Sequence, residues 1–186
     1  MSGERELEGG GWVTAGARGA DDERSAAFGR LTGARLERAY RLAALLLDDP
    51  LEAQDAVHDA TVHAWTAFDG LRDPARFDAW FDRILVNSCR DRWRRRRPRP
   101  ISLPDRAAPD GGLDGAERDA VRSALATLDA EHRLVLVLHY VEGYSGAEIA
   151  ARTGTRQGTV RSRLHYALRA LRAAYEAAER AGGGTP

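Results

Sequence analysis

Two arginine-rich stretches carry the residue types that could do chemistry, and that chemistry is nucleic-acid binding. The first is RDRWRRRR, residues 90–97, and the second lies within GTRQGTVRSRLHYALRALR, residues 154–172. Arginine forks pair with phosphates and with guanine edges. The alternative for each stretch is a solvated helix, because arginine also suits an exposed face and the C-terminal end of a helix.

The second stretch has the surroundings of a DNA-reading helix. SGAE, residues 145–148, predicts a capping box that begins a short helix, and Gly154 predicts the turn after it. This order of cap, turn and basic helix predicts a helix-turn-helix, whose second helix would enter a major groove. We expect the apolar residues of that helix to pack inward: Val160, Leu164, Ala167, Leu168, Leu171 and Tyr175.

The first stretch ends a helix that also carries aromatic residues. Aromatic side chains interleaved with cations are typical of surfaces on which single-stranded nucleic acid stacks. Trp80 and Phe81 fall on the apolar stripe of this helix, however, which favours a place in the core. Asn87 and Trp93 lie off that stripe.

The elements that position these stretches are all predicted to be helices, so the fold class is all-α. Apolar residues recur at helical spacing in two blocks, separated by a segment with four prolines. We expect two small helical domains joined by a flexible linker. The predicted boundaries are a disordered extension at 1–24, a first domain at 25–97, a linker at 98–115, a helix-turn-helix domain at 116–180 and a tail at 181–186.

Composition excludes several classes of function. The formal net charge is zero, and the single cysteine, Cys89, rules out a disulfide framework and suits a buried position. The five histidines are scattered, and none pairs with Cys89 at a ligand spacing, so we expect no metal, no cofactor and no catalysis. Without a long apolar run or a secretory signal, the sequence predicts a cytoplasmic protein with no membrane insertion.

Two blocks of the chain resemble a known family. EAQDAVHDATVHAW, residues 52–65, followed by RFDAWFDRILVNSCRDRWRRRR, residues 76–97, is similar to region two of the extracytoplasmic-function (ECF) group of bacterial sigma factors. LDAEHRLVLVLHYVEGYSGAEIAARTGTRQGTVRSRLHYALRALR, residues 128–172, is similar to region four. The resemblance implies a non-enzymatic subunit of RNA polymerase that recognises promoters, melts DNA and starts transcription.

The resemblance also implies partners and site residues. Core RNA polymerase would be bound through the clamp of its largest subunit and the flap of its second, and an anti-sigma factor would hold the free protein inactive. The clamp-binding candidates are Asp55, His58 and Asp59. The candidates for minus-ten recognition and melting are Leu71, Arg72, Asp73, Trp80, Asn87, Arg90 and Arg94. The candidates for minus-35 recognition are Arg156, Gln157, Thr159, Arg161, Arg163 and Tyr166.

Some positions depart from the family pattern. Tyr166 stands where some members have a base-contacting arginine, so the family's minus-35 preference does not transfer to this chain. Gln54 and Thr61 replace a usual acid and a usual large apolar residue in the clamp-binding helix.

A free-standing helix-turn-helix regulator is the alternative function. A repressor would need a dimer interface or a ligand pocket in its first half, whereas that half carries an acidic helix and an aromatic-arginine helix.

Overall fold

The computed structural model describes residues 13–95 and 123–182, and every regular element in these ranges is helical. The chain divides into two compact units, residues 1–35 and residues 36–186. The all-α class predicted from the sequence is confirmed. The linker predicted at 98–115 and residues 183–186 of the tail predicted at 181–186 lie outside the described residues.

The first unit contains helix α1, Val13–Gly33. Near its end Thr32 is buried, and its hydroxyl donates to the carbonyl of Phe28. Residues 13–24, which the sequence analysis places in an extension, are helical in this structure. Alanine and charged residues with good helix propensity are frequent there, and they form a helix without an apolar stripe.

The second unit begins with three helices that pack on one another: α2 (Leu36–Leu47), α3 (Pro50–Ala67) and α4 (Phe77–Arg95). Asp48 ends α2 with a left-handed backbone, at φ 52°. Asp49 then caps α3, because its carboxylate accepts from the amides of Leu51 and Glu52 at 3.0 and 3.3 Å. The DDP sequence, residues 48–50, thus separates the two helices.

Small residues on α3 allow close packing of this bundle. Ala53, Ala56, Ala60 and Ala64 are completely buried, so they form a smooth face against the neighbouring helices. Large residues fill the rest of the core, which contains Leu42, Leu46, Phe77, Phe81 and Leu85 at 2% exposure or less. This core fixes the orientation of α4, which carries residues 90–95 of the first arginine stretch.

Residues 123–126 are helical and precede α5, Ala130–Leu136, which Asp129 caps. A π-helical turn, Val137–Val141, extends α5, and the amide of Glu142 donates to the carbonyl of Val137 at 3.1 Å. Two further helices follow, α6 (Gly146–Thr153) and α7 (Gln157–Gly182). The second core lies between α5 and α7 and contains Leu125, Leu128, Leu136, Leu164, Ala167 and Leu171.

Candidate nucleic-acid interface

Helices α6 and α7 form the predicted helix-turn-helix. The hydroxyl of Ser145 accepts from the Glu148 amide at 3.3 Å, and the Glu148 carboxylate accepts from the Ser145 amide at 2.9 Å. Hydrogen bonds from the Ser145 side chain and backbone lower the pKa of Glu148, which favours the ionised form of the carboxylate in this capping box. Gly154 forms the turn at φ 66°, a backbone conformation that favours glycine.

The N-terminal part of α7 presents most of its predicted minus-35 residues to solvent. Val160 and Ala167 are completely buried and fix the inward side of the helix. Arg156, Gln157 and Arg161 are exposed, and Thr159 is half-buried. This end of the helix is where a helix-turn-helix offers side chains to bases.

Arg163 and Tyr166 have intramolecular contacts. The Arg163 guanidinium donates to Glu131 of α5 at 2.6 Å and is about three-quarters buried, with 26% of its side chain exposed. Tyr166 is 57% exposed, and its ring lies 6.5 Å from that of His132.

The prediction that the whole apolar side of α7 packs inward is wrong at two positions. Leu168 is 41% and Tyr175 is 44% exposed. Both line a groove of about 750 Å³ along α7. The buried stripe follows a narrower set of positions, because Ala167 and Leu171 already occupy the face against the second core.

The segment between α3 and α4 contains Leu71, Arg72 and Asp73, all predicted to act at the minus-ten element. Two short 3₁₀ turns, Phe68–Gly70 and Pro74–Arg76, flank it. Arg72 and Asp73 are exposed and Leu71 is half-buried. The Asp73 carboxylate accepts from the Ala75 amide at 3.0 Å, so it caps the second turn as well as facing solvent.

The aromatic residues of α4 divide between core and surface. Phe81 is completely buried, which confirms the core interpretation for it. Trp80 is half-buried, with its ring centroid 5.8 Å from that of Phe77, while Asn87 is exposed. Trp93 donates from its indole to the carbonyl of Leu46 at 3.3 Å, so this tryptophan is held by α2.

The two arginines of α4 predicted to hold phosphates differ in their surroundings. Arg94 is exposed and pairs with Asp91 one turn away. Arg90 is half-buried and donates to both oxygens of Glu131 at 2.8 Å and to the carbonyl of Thr153 at 2.7 Å. Arg90 therefore joins α4 to α5 and to the C-terminal end of α6.

The acidic face of α3 contains the clamp-binding candidates and meets an arginine that the sequence did not single out. Arg92 donates to Glu52, Asp55 and Asp59 at 2.8, 3.3 and 2.6 Å. Burial alone would lower the pKa of Arg92, but the hydrogen bonds that Arg92 donates to Glu52 and Asp59 raise this pKa above its usual value. His58, the third candidate, is exposed on the same helix.

A buried polar cluster, also missed from the sequence, joins α4 to the helix-turn-helix. Asp82 is 3% exposed and accepts from the Tyr144 hydroxyl at 2.6 Å and from Arg152 at 3.2 Å. The Arg152 guanidinium also lies 3.7 Å from the centroid of the Tyr144 ring. In the sequence, the only indication of this cluster was the position of Asp82 beside the apolar stripe of α4. The partners of Asp82 are 62 and 70 positions away, so the sequence did not identify them.

Cys89 is completely buried, as predicted, and burial raises the pKa of its thiol from 9.0 to about 12.

Over residues 13–95 and 123–182, histidine, cysteine and carboxylate side chains form no cluster suited to a metal ion. In the same ranges no helix combines the length and apolar character needed to cross a membrane.

Both halves of the chain match known protein families. Residues 32–99 match the family described as Sigma-70 region 2, and residues 118–171 match Sigma-70, region 4. The first match contains α2, α3 and α4, and the second contains α5, α6 and much of α7.

Solved structures with the same fold include two protein complexes, one of which contains a sigma factor. CnrH in complex with the cytosolic domain of CnrY aligns at a TM-score of 0.64 and 32% identity, covering 87% of this chain and 95% of that one. The sigma factor RpoE in complex with the anti-sigma factor NepR, from Bartonella quintana, aligns at a TM-score of 0.65 and 27% identity. That alignment covers 76% of this chain and 92% of the RpoE chain.

Curated relatives agree with these matches. The ECF RNA polymerase sigma factor SigL of Mycobacterium tuberculosis (strain ATCC 25618 / H37Rv) is 37% identical over 141 residues, 72% of this chain and 80% of that protein. The RNA polymerase sigma-E factor of Streptomyces avermitilis is 35% identical over 141 residues, 74% of this chain and 79% of that protein. With both sigma-70 regions present in order, the chain belongs to the ECF group of RNA polymerase sigma factors.

Proposed function

We propose that this chain binds core RNA polymerase and directs promoter recognition, DNA melting and transcription initiation. The observation that carries the proposal is the presence of both sigma-70 regions in one chain, each with its candidate residues on a helix bundle. The protein itself performs no catalysis, because the polymerase supplies the active site. Its own contribution is binding energy, which offsets the few kcal/mol needed to unstack and unpair a base.

The proposed core-binding surface is the acidic face of α3. Asp55 and His58 are exposed there, and Asp59 is half-buried beside Arg92. A row of carboxylates suits a basic partner surface, here the clamp of the largest polymerase subunit, with the flap of the second subunit as a further contact.

The proposed minus-ten surface combines the segment before α4 with α4 itself. Leu71, Arg72 and Asp73 would surround a flipped base together with Asn87, while Trp80 offers the exposed part of its ring for stacking. Arg90 and Arg94 would hold the phosphates of the opened strand.

The proposed minus-35 surface is the N-terminal half of α7. Arg156, Gln157, Thr159 and Arg161 would contact base edges and neighbouring phosphates in the major groove. Arg163 and Tyr166 follow on the same helix and would extend this surface.

We further propose regulation by an anti-sigma factor, because the similar RpoE structure contains one. The proposed site of action is the cytoplasm, where core polymerase and promoter DNA are found. The division into a first domain at 25–97 and a second at 116–180 remains part of this proposal.

Transcription in vitro tests the function. Purified chain is added to sigma-free core polymerase and genomic DNA, and the 5′ ends of the transcripts are sequenced. We expect a limited set of start sites that share two upstream elements. A free-standing regulator would instead bind duplex DNA without core and yield no new start sites.

A further inference from the structure

Glu131, in the first turn of α5, accepts hydrogen bonds from arginines of two other helices. Its Oε1 accepts from the Nε of Arg90, and its Oε2 accepts from the Nη2 of Arg90, both at 2.8 Å. The same Oε2 accepts from the Nη1 of Arg163 at 2.6 Å. One carboxylate therefore joins α4 to α7.

Both arginines belong to the proposed DNA-binding surfaces. Arg90 is a candidate for holding phosphates at the melted element, and Arg163 is a candidate at the minus-35 element. In the structure the Arg90 side chain is 19% exposed and the Arg163 side chain is 26% exposed. Neither guanidinium is as exposed as an arginine that is open to a DNA phosphate would be.

The hydrogen bonds of Arg90 leave little room for a phosphate. Its Nε and Nη2 form the fork that binds Glu131, which is the geometry that the same fork would use for a phosphate. Its Nη1 donates to the carbonyl of Thr153 at 2.7 Å. With all three nitrogens engaged, Arg90 binds DNA only after it leaves Glu131.

Some other contacts between the first three helices of this unit and α5 are polar and partly exposed, and the buried Asp82 cluster must also separate when the chain opens. The Arg133 guanidinium of α5 donates to the Leu46 carbonyl of α2 at 3.0 Å. Arg38 of α2 pairs with Glu142, just after the π-helical turn. Ion pairs and single hydrogen bonds at partly exposed positions are weak individually and are screened by salt, so they suit a contact that opens.

We propose that Glu131 is an intramolecular substitute for a DNA phosphate, which holds the chain in a closed resting state. In this state one carboxylate binds Arg90 and Arg163 together, so one arginine of each proposed DNA surface is unavailable to DNA. Opening releases the two arginines at once, and it couples DNA binding by α4 to DNA binding by α7. This inference rests on the DNA-binding roles proposed above for the two arginines.

A distance measurement on the full chain tests the closed state without polymerase or DNA. Spin labels are placed on α3 and α7 through Gln54→Cys and Ala170→Cys, since both positions are exposed and the native Cys89 is buried. Pulsed electron-electron double resonance then gives the distance distribution between the two spin labels. The variants compared are Glu131→Gln and, as the control for lost charge, Glu176→Gln, which changes an exposed residue of α7.

We expect one short distance in the parent and in Glu176→Gln, and an added population at longer distance in Glu131→Gln. Unchanged distributions in a Glu131→Gln protein that melts like the parent would overturn the proposal. Glu131→Asp provides a second variant should Glu131→Gln fold poorly. Glu131→Asp keeps the charge but shortens the side chain, so we expect a long-distance population smaller than that of Glu131→Gln. The absence of any long-distance population in Glu131→Asp would also overturn the proposal.

DNA affinity gives the second readout. The probe is a random-sequence duplex at low salt, because arginine-phosphate contacts are independent of sequence. A closed population that cannot bind DNA lowers the apparent DNA affinity of the protein, and this affinity rises when the closed population becomes smaller. We therefore expect Glu131→Gln to bind the duplex about threefold more tightly than Glu176→Gln does. Equal affinities of the two variants would overturn the proposal. A wild-type chain that gives no transcripts with core would instead contradict the proposed function and leave the distance result standing.

Discussion

Tyr144 and Asp82 are 62 positions apart and are joined by a 2.6 Å hydrogen bond inside the protein. The tyrosine precedes the helix-turn-helix, and the aspartate lies on α4. Arg152 donates to the same carboxylate and covers the tyrosine ring. The cluster therefore attaches the DNA-reading motif to the helix that we propose to melt the promoter.

Removing the tyrosine hydroxyl should destabilise this attachment. Tyr144→Phe leaves the ring but takes one donor from a buried carboxylate, so we expect a loss of about 1–3 kcal/mol in the free energy of unfolding. Urea denaturation measures it. Tyr140→Phe is the matched control, because Tyr140 is 61% exposed and its change should cost less than about 0.5 kcal/mol. Equal losses in both variants would contradict the role given to the cluster.

Cys89 reports the integrity of the first bundle. Burial raises its pKa from 9.0 to about 12, so at pH 8 the thiol of the folded protein should react with an aromatic disulfide reagent only on unfolding. The unfolded chain releases this proton at lower pH than the folded chain does. The linked stability contribution is therefore complete below pH 9.0 and falls as the pH rises toward 12. Rapid labelling of the native protein at pH 8 would show that the packing around α4 is wrong.

Charge reversal on α3 should separate core binding from DNA binding. Asp55→Arg places a cation where a carboxylate is proposed to meet the clamp, so we expect about tenfold weaker binding to core polymerase. Affinity for duplex DNA should not fall. Glu37→Arg is the control, because Glu37 is exposed on α2 and pairs with Arg41 on the same helix. Fluorescence anisotropy with labelled protein measures both affinities, and equal weakening of core binding in the two variants would count against the α3 surface.

Arg161→Ala should relax minus-35 selectivity. A base contact by an arginine fork contributes about 1–3 kcal/mol of discrimination, so the preference for the mapped element over a scrambled one should fall by about tenfold. Arg169→Ala removes the same charge from an exposed position further along α7 and should weaken both duplexes equally. Competition binding with the two duplexes distinguishes these outcomes. An unchanged preference in Arg161→Ala would move the recognition surface elsewhere.

The helices and their caps were predictable because local patterns determine them. The DDP junction, the Asp129 cap, the Ser145 capping box and the Gly154 turn each follow from short-range hydrogen bonding or backbone conformation. The helical character of residues 13–24 was not predicted, since helix propensity without an apolar stripe leaves no periodic signal.

The contacts between distant segments were not predictable. Arg90, Arg92 and Arg163 looked alike in the sequence, but their acidic partners are 41, 33 to 40, and 32 positions away. The acids Glu52, Asp55 and Asp59 share one face of α3, and this spacing was the only local hint of a basic partner. Which arginine each carboxylate takes depends on how the helices pack, which periodicity does not encode.

Permanganate reactivity of promoter thymines shows directly whether this chain and core polymerase melt DNA together. The probe is a promoter mapped by transcript sequencing, with thymines near its minus-ten element. We expect reactive, unpaired thymines only when this chain and core polymerase are both present, and none with either alone. Duplex binding by the chain without core, together with no reactive thymines when core is added, would contradict the proposed function.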